Sequence, residues 1–247
     1  MPELAVIGGT GLTALDGLEI ISRENVQTPY GEPSGLLCYG TLDDREIVFL
    51  PRHGENHNLP PHKINYRANI WALKQSGAPR ILAVAAVGGI GAGMAPTKLV
   101  IPDQLIDYTS GRISTFFEED LSHVTHIDFS QPYCETLRQL LLQACHEAGI
   151  TAAEKGVYGV TQGPRLETTA EIRRMEHDGC TLVGMTAMPE AALARELGLS
   201  YAACNVVANW AAGKGDRTII EMTEIEDNLR HGMDQVYRLL KTLISLL

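Results

Sequence analysis

The chain has 247 residues, 45% of them hydrophobic and 20% charged, enough apolar material to bury a full core as one large α/β domain over residues 1–247. A formal net charge of -10 sets it against nucleic-acid backbones and anionic membrane surfaces, while a small anion can still bind at a local cluster of donors. The five cysteines (Cys38, Cys134, Cys145, Cys180, Cys204) form no CxxC pair and suit a reducing compartment, and no basic, apolar leader precedes Leu4, so a cytoplasmic protein without a membrane span is expected.

In chain order, Leu4–Ile7 is the first apolar run and predicts a strand covered on both faces. It leads into Gly8-Gly9-Thr10-Gly11, whose backbone N–H groups and hydroxyl can wrap an anion. The same glycines fit a loose dinucleotide fingerprint, but Asp16-Gly17 interrupts the helix it needs and Glu32 sits in a Pro/Gly-rich turn. Glu46–Leu50 predicts a second strand, with Arg52-His53-Gly54 just past its end, where α/β proteins gather ligands. Arg52 offers a planar fork that matches phosphate in bidentate fashion, and His53 can add a donor. The histidines could also hold a metal, as His53/His57/His62 or as His123/His126 with Asp128. Pro60, Pro61 and Gly54 spoil helical geometry in the first set, and neither set carries a metal signature, so no metal is expected.

Ile64–Ser76 predicts a helix closed by Gly77, followed by strands at Ile81–Val87 and Leu99–Pro102. Thr109–Gln131 is the longest stretch without periodicity, and loops of that size are often functional. A helix over Pro132–Ala148 ends at Gly149, and Val157–Thr161 predicts a strand running into Gly163-Pro164-Arg165-Leu166-Glu167. Glu167 reads equally as a first-turn carboxylate of a helix or as an acceptor for a ligand N–H. Thr181–Met185 predicts the next strand, with Thr186 at its end before a helix over Pro189–Leu197 closed by Gly198, a place where anions commonly sit. After the strand Tyr201–Val207, Asn209 is either a simple turn asparagine or an amide able to donate and accept on one edge of a planar ligand. Thr223–Glu226 reads as a capping box opening a final helix. The alternation predicts an α/β fold, a central mixed sheet flanked by helices.

In this order and at these separations, the motifs resemble the trimeric purine nucleoside phosphorylase and methylthioadenosine phosphorylase family. The likeness runs from Ile7-Gly8-Gly9-Thr10-Gly11-Leu12 through Arg52-His53-Gly54 to Met185-Thr186 and Pro189-Glu190. Arg-His-Gly followed by Asn65-Tyr66-Arg67-Ala68-Asn69-Ile70-Trp71 is similar to the methylthioadenosine branch. The resemblance implies a homotrimer that transfers a pentosyl group from a purine nucleoside to phosphate, with phosphate as co-substrate and no metal or organic cofactor. It implies that Thr10, Arg52, His53, the backbone at Ala86 and Thr186 surround phosphate, with Ala85 where a hydroxyl residue often stands. It places Met185 against the ribose, Leu166, Glu167 and Asn209 at the base, and Met222 and Ile225 at the 5' end, where His126 reaches in from a neighbouring subunit.

Two departures bear on the substrate. Methylthioadenosine enzymes carry an aspartate pair where this chain has Asn209 and Ala211, whereas the pairing of Glu167 with Asn209 is similar to enzymes for 6-oxopurines. The stretch Ile219–Ile225 is apolar and lacks the histidine that ordinary nucleoside phosphorylases place near a 5'-hydroxyl. The resemblance therefore implies phosphorolysis of S-methyl-5'-thioinosine to hypoxanthine and 5-methylthioribose 1-phosphate in purine salvage, with Asn209, Glu167 and His53 acting in catalysis. Methylthioadenosine or inosine/guanosine phosphorolysis are the alternatives within the class; a hydrolase and a nucleotide-sensing protein are those outside it.

Overall fold

In the computed structural model, which describes residues 1–9, 17–119, 121–215 and 221–247, the strands form one mixed sheet, ten-stranded among those residues. At its centre β1 (Leu4–Gly8) lies parallel between β4 (Arg45–Pro51) and β5 (Arg80–Gly89). β5 also pairs in parallel with β10 (Ser200–Trp210), and its last residues Gly88 and Gly89 take β9 (Leu182–Gly184) antiparallel. β8 (Val157–Val160) and β7 (Gln104–Asp107) continue beyond β9 in parallel, and the short β6 (Leu99–Val100) runs antiparallel to β10. β2 (Glu19–Glu24) and β3 (Leu37–Leu42) extend the other edge past β4.

Successive residues of a strand face opposite sides, so the continuous apolar runs supply two cores at once. Ala5, Ile7, Leu50, Ile81 and Ala203 pack under α1 (Tyr66–Gln75) and α4 (Ala187–Glu196), while Leu4, Val6, Phe49, Leu82 and Cys204 pack under α2 (Glu135–Glu147) and α5 (Met222–Leu246). A third cluster joins Ile172 and Met175 of α3 (Thr169–His177) to Val183 and Ala211. The glycines expected past α1, α2 and α4 stand there with φ of 82° at Gly77, 65° at Gly149 and 68° at Gly198, a left-handed backbone that a side chain would strain.

Four elements escape the sequence pattern, among them β3, whose buried Leu37, Cys38, Gly40 and Leu42 are interrupted by the half-buried Tyr39 and Thr41. β2 is an edge strand, mostly exposed along its length, and its two apolar residues, Ile20 and Ile21, stand out in solvent among charged neighbours, too short a run to mark a buried strand. β7 is short and half-buried. α3 follows the Gly-Pro motif and opens on a genuine capping box: Thr168 Oγ1 accepts from the Glu171 N–H at 3.2 Å, and Glu171 Oε2 accepts from the Thr168 N–H at 2.7 Å. The box expected at Thr223–Glu226 is not formed. α5 has already begun at Met222, with Glu221 in the N-cap position and no side-chain capping bond there, and a residue inside the first turn cannot serve as the extended N-cap.

Candidate active site

The cleft lies at the carboxyl ends of the central strands, where chain crossings in an α/β sheet leave a crevice. It encloses a cavity of about 200 Å³, lined mostly by apolar residues with a few polar side chains among them. Its lining comes from Gly9 after β1, His53 after β4, Ala86 on β5, Glu167 after β8, Thr186 after β9 and Asn209 on β10. Arg52, Leu166, Met185, Met222 and Ile225 reach the same space. Nearly all the residues singled out from the sequence are thus brought to one place.

Arg52 departs from its expected role. It is 1% exposed, and its fork is committed: Nε donates to Glu190 Oε2 at 2.7 Å and Nη2 to Glu190 Oε1 at 2.8 Å. Nη1 donates to the Val84 carbonyl at 2.8 Å, and Nη2 reaches the Ile7 carbonyl at 3.4 Å. Of five N–H donors, one on Nη1 remains, so the bidentate partner of this arginine is Glu190 and phosphate is left a single contact. Burial by itself would lower the pKa of the guanidinium, but the charge and hydrogen bonds of Glu190 outweigh it and hold the group firmly protonated. A Cβ on Gly9 would stand 2.9 Å from Arg52 Nη1 and 3.0 Å from the Val84 carbonyl, so only glycine lets the first turn lie this close over the guanidinium. Glu190 itself is 0% exposed and takes a third bond from the Tyr201 hydroxyl at 2.8 Å.

His53 is also buried, and burial pushes its pKa down to about 4, with the Arg52 charge adding to the effect against a raising bond from Leu59. Its Nδ1 lies 2.8 Å from the Leu59 carbonyl. A carbonyl only accepts, so the neutral ring carries its proton on Nδ1 and offers a lone pair at Nε2. The histidine expected to donate to phosphate is therefore, in its neutral form, an acceptor for a protonated oxygen. Thr186 is the N-cap residue of α4, nearly buried, and its hydroxyl is not spent on capping that helix.

Asn209 owes its position to a bulge. The register of β10 against β5 shifts between Val207 and Asn209, so Ala208 is extra and Asn209 stands opposite Gly88. Bulges re-aim side chains in this way beside active sites. Asn209 Nδ2 donates to the Trp210 carbonyl at 2.7 Å, which leaves one N–H and the Oδ1 acceptor for a ligand. Glu167 lies outside α3, two residues before its first turn, and its Oε1 accepts from the Thr161 hydroxyl at 2.6 Å. The open choice about Glu167 is thereby decided against the helix-dipole role, and Oε2 remains as an acceptor. Gly163, at φ 61°, lets Met185 lie across the turn, where a Cβ would stand 2.5 Å from the Met185 sulfur.

Some of the expected site residues are not seen in this cleft. His126 is exposed and does not line it. Thr10 with the rest of the first glycine turn, and Ile219 with Ile220, lie outside the described residues. The sequence reading missed Glu190 as the counter-ion of Arg52 and Thr161 as the holder of Glu167. Each carried one signal at most: a carboxylate in an otherwise apolar helix face, and a hydroxyl closing a strand. Among the described residues no three His, Cys, Asp or Glu side chains converge in a way that could hold a metal, and no helix is long and apolar enough to cross a membrane.

A crevice at the strand ends of a mixed α/β sheet gathers a buried arginine, a histidine, a threonine at a helix start and an amide–carboxylate pair, the chemistry of a small-molecule enzyme site able to meet an anion and a planar hydrogen-bonding ligand. The chain belongs to the phosphorylase superfamily, which it matches over residues 3–245. It is 56% identical over 245 residues, 99% of each chain, to a protein of Pseudomonas syringae pv. tomato named a probable S-methyl-5'-thioinosine phosphorylase. A probable 6-oxopurine nucleoside phosphorylase of Thermococcus kodakarensis is 44% identical over 250 residues, with 99% of this chain and 92% of that one covered. The methylthioadenosine phosphorylase of Schistosoma mansoni, solved with adenine, superposes with a TM-score of 0.95 at 32% identity, covering 100% of this chain and 92% of that one.

Proposed function

We propose that this chain catalyses phosphorolysis of S-methyl-5'-thioinosine, releasing hypoxanthine and 5-methylthioribose 1-phosphate. The observation that carries the reading is the placement of Glu167 and Asn209 in one cleft, with Ala211 beside them where no carboxylate can act. A 6-oxopurine has an N–H at N1, which the free oxygen of Glu167 can accept, and acceptors at O6 and N7, one of which the remaining Asn209 N–H can reach. A 6-aminopurine presents a lone pair at N1 to the same carboxylate and leaves a polar contact unmade. Met222 and Ile225 supply apolar surface and a thioether suited to a methylthio group. The names of the relatives from Pseudomonas and Thermococcus agree with a 6-oxopurine base.

In the reaction, the bond from the anomeric carbon to N9 breaks as a phosphate oxygen bonds to that carbon from the opposite face. The electron pair leaves with the purine, and the proton the purine gains is balanced by the one phosphate gives up on forming the ester. Thr10, the last Arg52 donor, His53, the backbone at Ala86 and Thr186 hold phosphate in line, so the barrier falls by proximity and by charge complementarity. Phosphate bound as the monoanion gives the neutral His53 a proton to accept. Asn209 stabilises charge growing on the departing base, and the arrangement calls for no metal or organic cofactor.

The reading includes a cytoplasmic homotrimer. In that assembly His126 would serve a neighbour's 5' site. Initial rates on methylthioinosine, methylthioadenosine and inosine, with and without phosphate, test the proposal. Phosphate-dependent release of hypoxanthine from methylthioinosine, faster than either competitor, is expected. Release without phosphate, or a preference for methylthioadenosine, rejects it.

A further inference from the structure

The long segment between β7 and α2 carries one side chain with an unusual set of partners. Arg112, half-buried, donates through Nη2 to the carbonyls of Thr161 at 3.1 Å and Gln162 at 2.9 Å, and through Nε to Gln162 Oε1 at 3.1 Å. Through Nη1 it reaches the carbonyls of Met185 at 2.8 Å and Met188 at 2.6 Å. The same Nη1 lies 3.2 Å from the Tyr66 hydroxyl, which donates to the carbonyl of Pro61, another lining residue of the cleft. The guanidinium carbon also sits 5.4 Å from the centre of the Tyr66 ring.

These partners lie where the sheet stops. β8 and β9 are paired as far as Val160 and Gly184, with a last backbone bond from the Thr161 N–H to the Gly184 carbonyl at 2.8 Å. Beyond that point one chain runs to Glu167 and the other to Met185 and Thr186. A planar fork with five donors can bind carbonyls of both chains at fixed separation, whereas a lysine has three donors around one point and cannot span them. The segment bearing Arg112 is itself fastened: Glu196 accepts from the Thr115 hydroxyl at 2.6 Å and from the Phe116 N–H at 2.7 Å.

We propose that Arg112 is a positioning residue for the phosphorolysis site, setting the distance between the base-binding end of β8 and the ribose- and phosphate-binding end of β9 without touching either substrate. The inference rests on the function proposed above. Arg112 keeps Glu167 and the Met185–Thr186 pair in the geometry of the transition state, so its loss lowers kcat more than it raises KM for nucleoside.

The test uses Arg112→Lys and Arg112→Ala in the full chain, with two readouts. Hydrogen exchange without substrate should be faster by about tenfold or more in both 161–168 and 185–190 for either variant, with β1 and β5 unchanged. At saturating phosphate, kcat on methylthioinosine should fall by about tenfold or more in Arg112→Lys, a scale set by small misplacements of reacting groups. Guanidinium ion, below its unfolding range, should restore part of kcat to Arg112→Ala, while urea at equal concentration should not. The proposal is overturned by exchange unchanged in either segment, by Arg112→Lys turnover near wild type, or by a loss that tracks unfolding and resists guanidinium. Should wild type lack phosphorolysis, the assigned reaction fails, and the exchange measurement still decides whether Arg112 ties the two segments.

Discussion

Replacing Glu190 by glutamine deletes one charge at nearly constant volume beneath the proposed phosphate site. The partners are 1% and 0% exposed, so water cannot rescue the cation left behind. Glu190 accepts three hydrogen bonds, two from Arg52 and one from Tyr201, and a glutamine amide must turn its NH2 toward at least one of those donors. Breaking a buried pair from one side costs about 3–5 kcal/mol, because an uncompensated charge stays in a dry site. Urea unfolding of wild type and Glu190→Gln, at equal protein concentration since association shifts apparent stability, should show a loss of that size. The double variant Arg52→Met/Glu190→Leu removes both charges and should lie within about 2 kcal/mol of wild type, since apolar replacement of such pairs is often near neutral. It should nevertheless lack phosphorolysis. If Glu190→Gln costs less than about 1 kcal/mol, or the double variant is less stable than Glu190→Gln, the pair is not the buried counter-ion unit described, and the argument is refuted.

Two further outcomes follow from the same geometry. His53 resists protonation in the folded chain down to about pH 4, against 6.5 for the free side chain, so the unfolded chain binds more protons in between. Its contribution is complete above pH 6.5 and lost as pH falls toward 4, by about 2 kcal/mol at pH 5, and His53→Gln should flatten the stability profile there; identical slopes would exclude the effect. Asn209→Asp should narrow the advantage in kcat/KM of methylthioinosine over methylthioadenosine by about 1–3 kcal/mol, without reversing it, because Glu167 still accepts at N1. An unchanged ratio would remove Asn209 from base selection.

The sequence by itself determined the class of fold, most of the strands and the four helices with clear periodicity, because burial on both faces and helix ends leave local marks: runs of apolar residues, and glycine where φ turns positive. It also determined which residues crowd the strand ends, since chain order places Arg52-His53, Glu167, Thr186 and Asn209 each just past or at the end of an apolar run. What those residues do there was decided by tertiary structure. Arg52 meets Glu190 across 138 positions of sequence, a pairing no local spacing encodes, and it turned a presumed phosphate fork into a buried ion pair with one donor to spare. The Leu59 carbonyl settles which nitrogen of His53 carries the proton, and the Thr161 hydroxyl takes one oxygen of Glu167. The bulge at Ala208 brings Asn209 opposite Gly88, and a mismatch in strand register exists only once two strands are paired. Charged and hydrogen-bonding groups are directional and are satisfied by single partners from anywhere in the chain, whereas apolar burial is non-directional and averages over many neighbours. Patterns of the second kind can be read along a sequence; partners of the first kind had to wait for the fold.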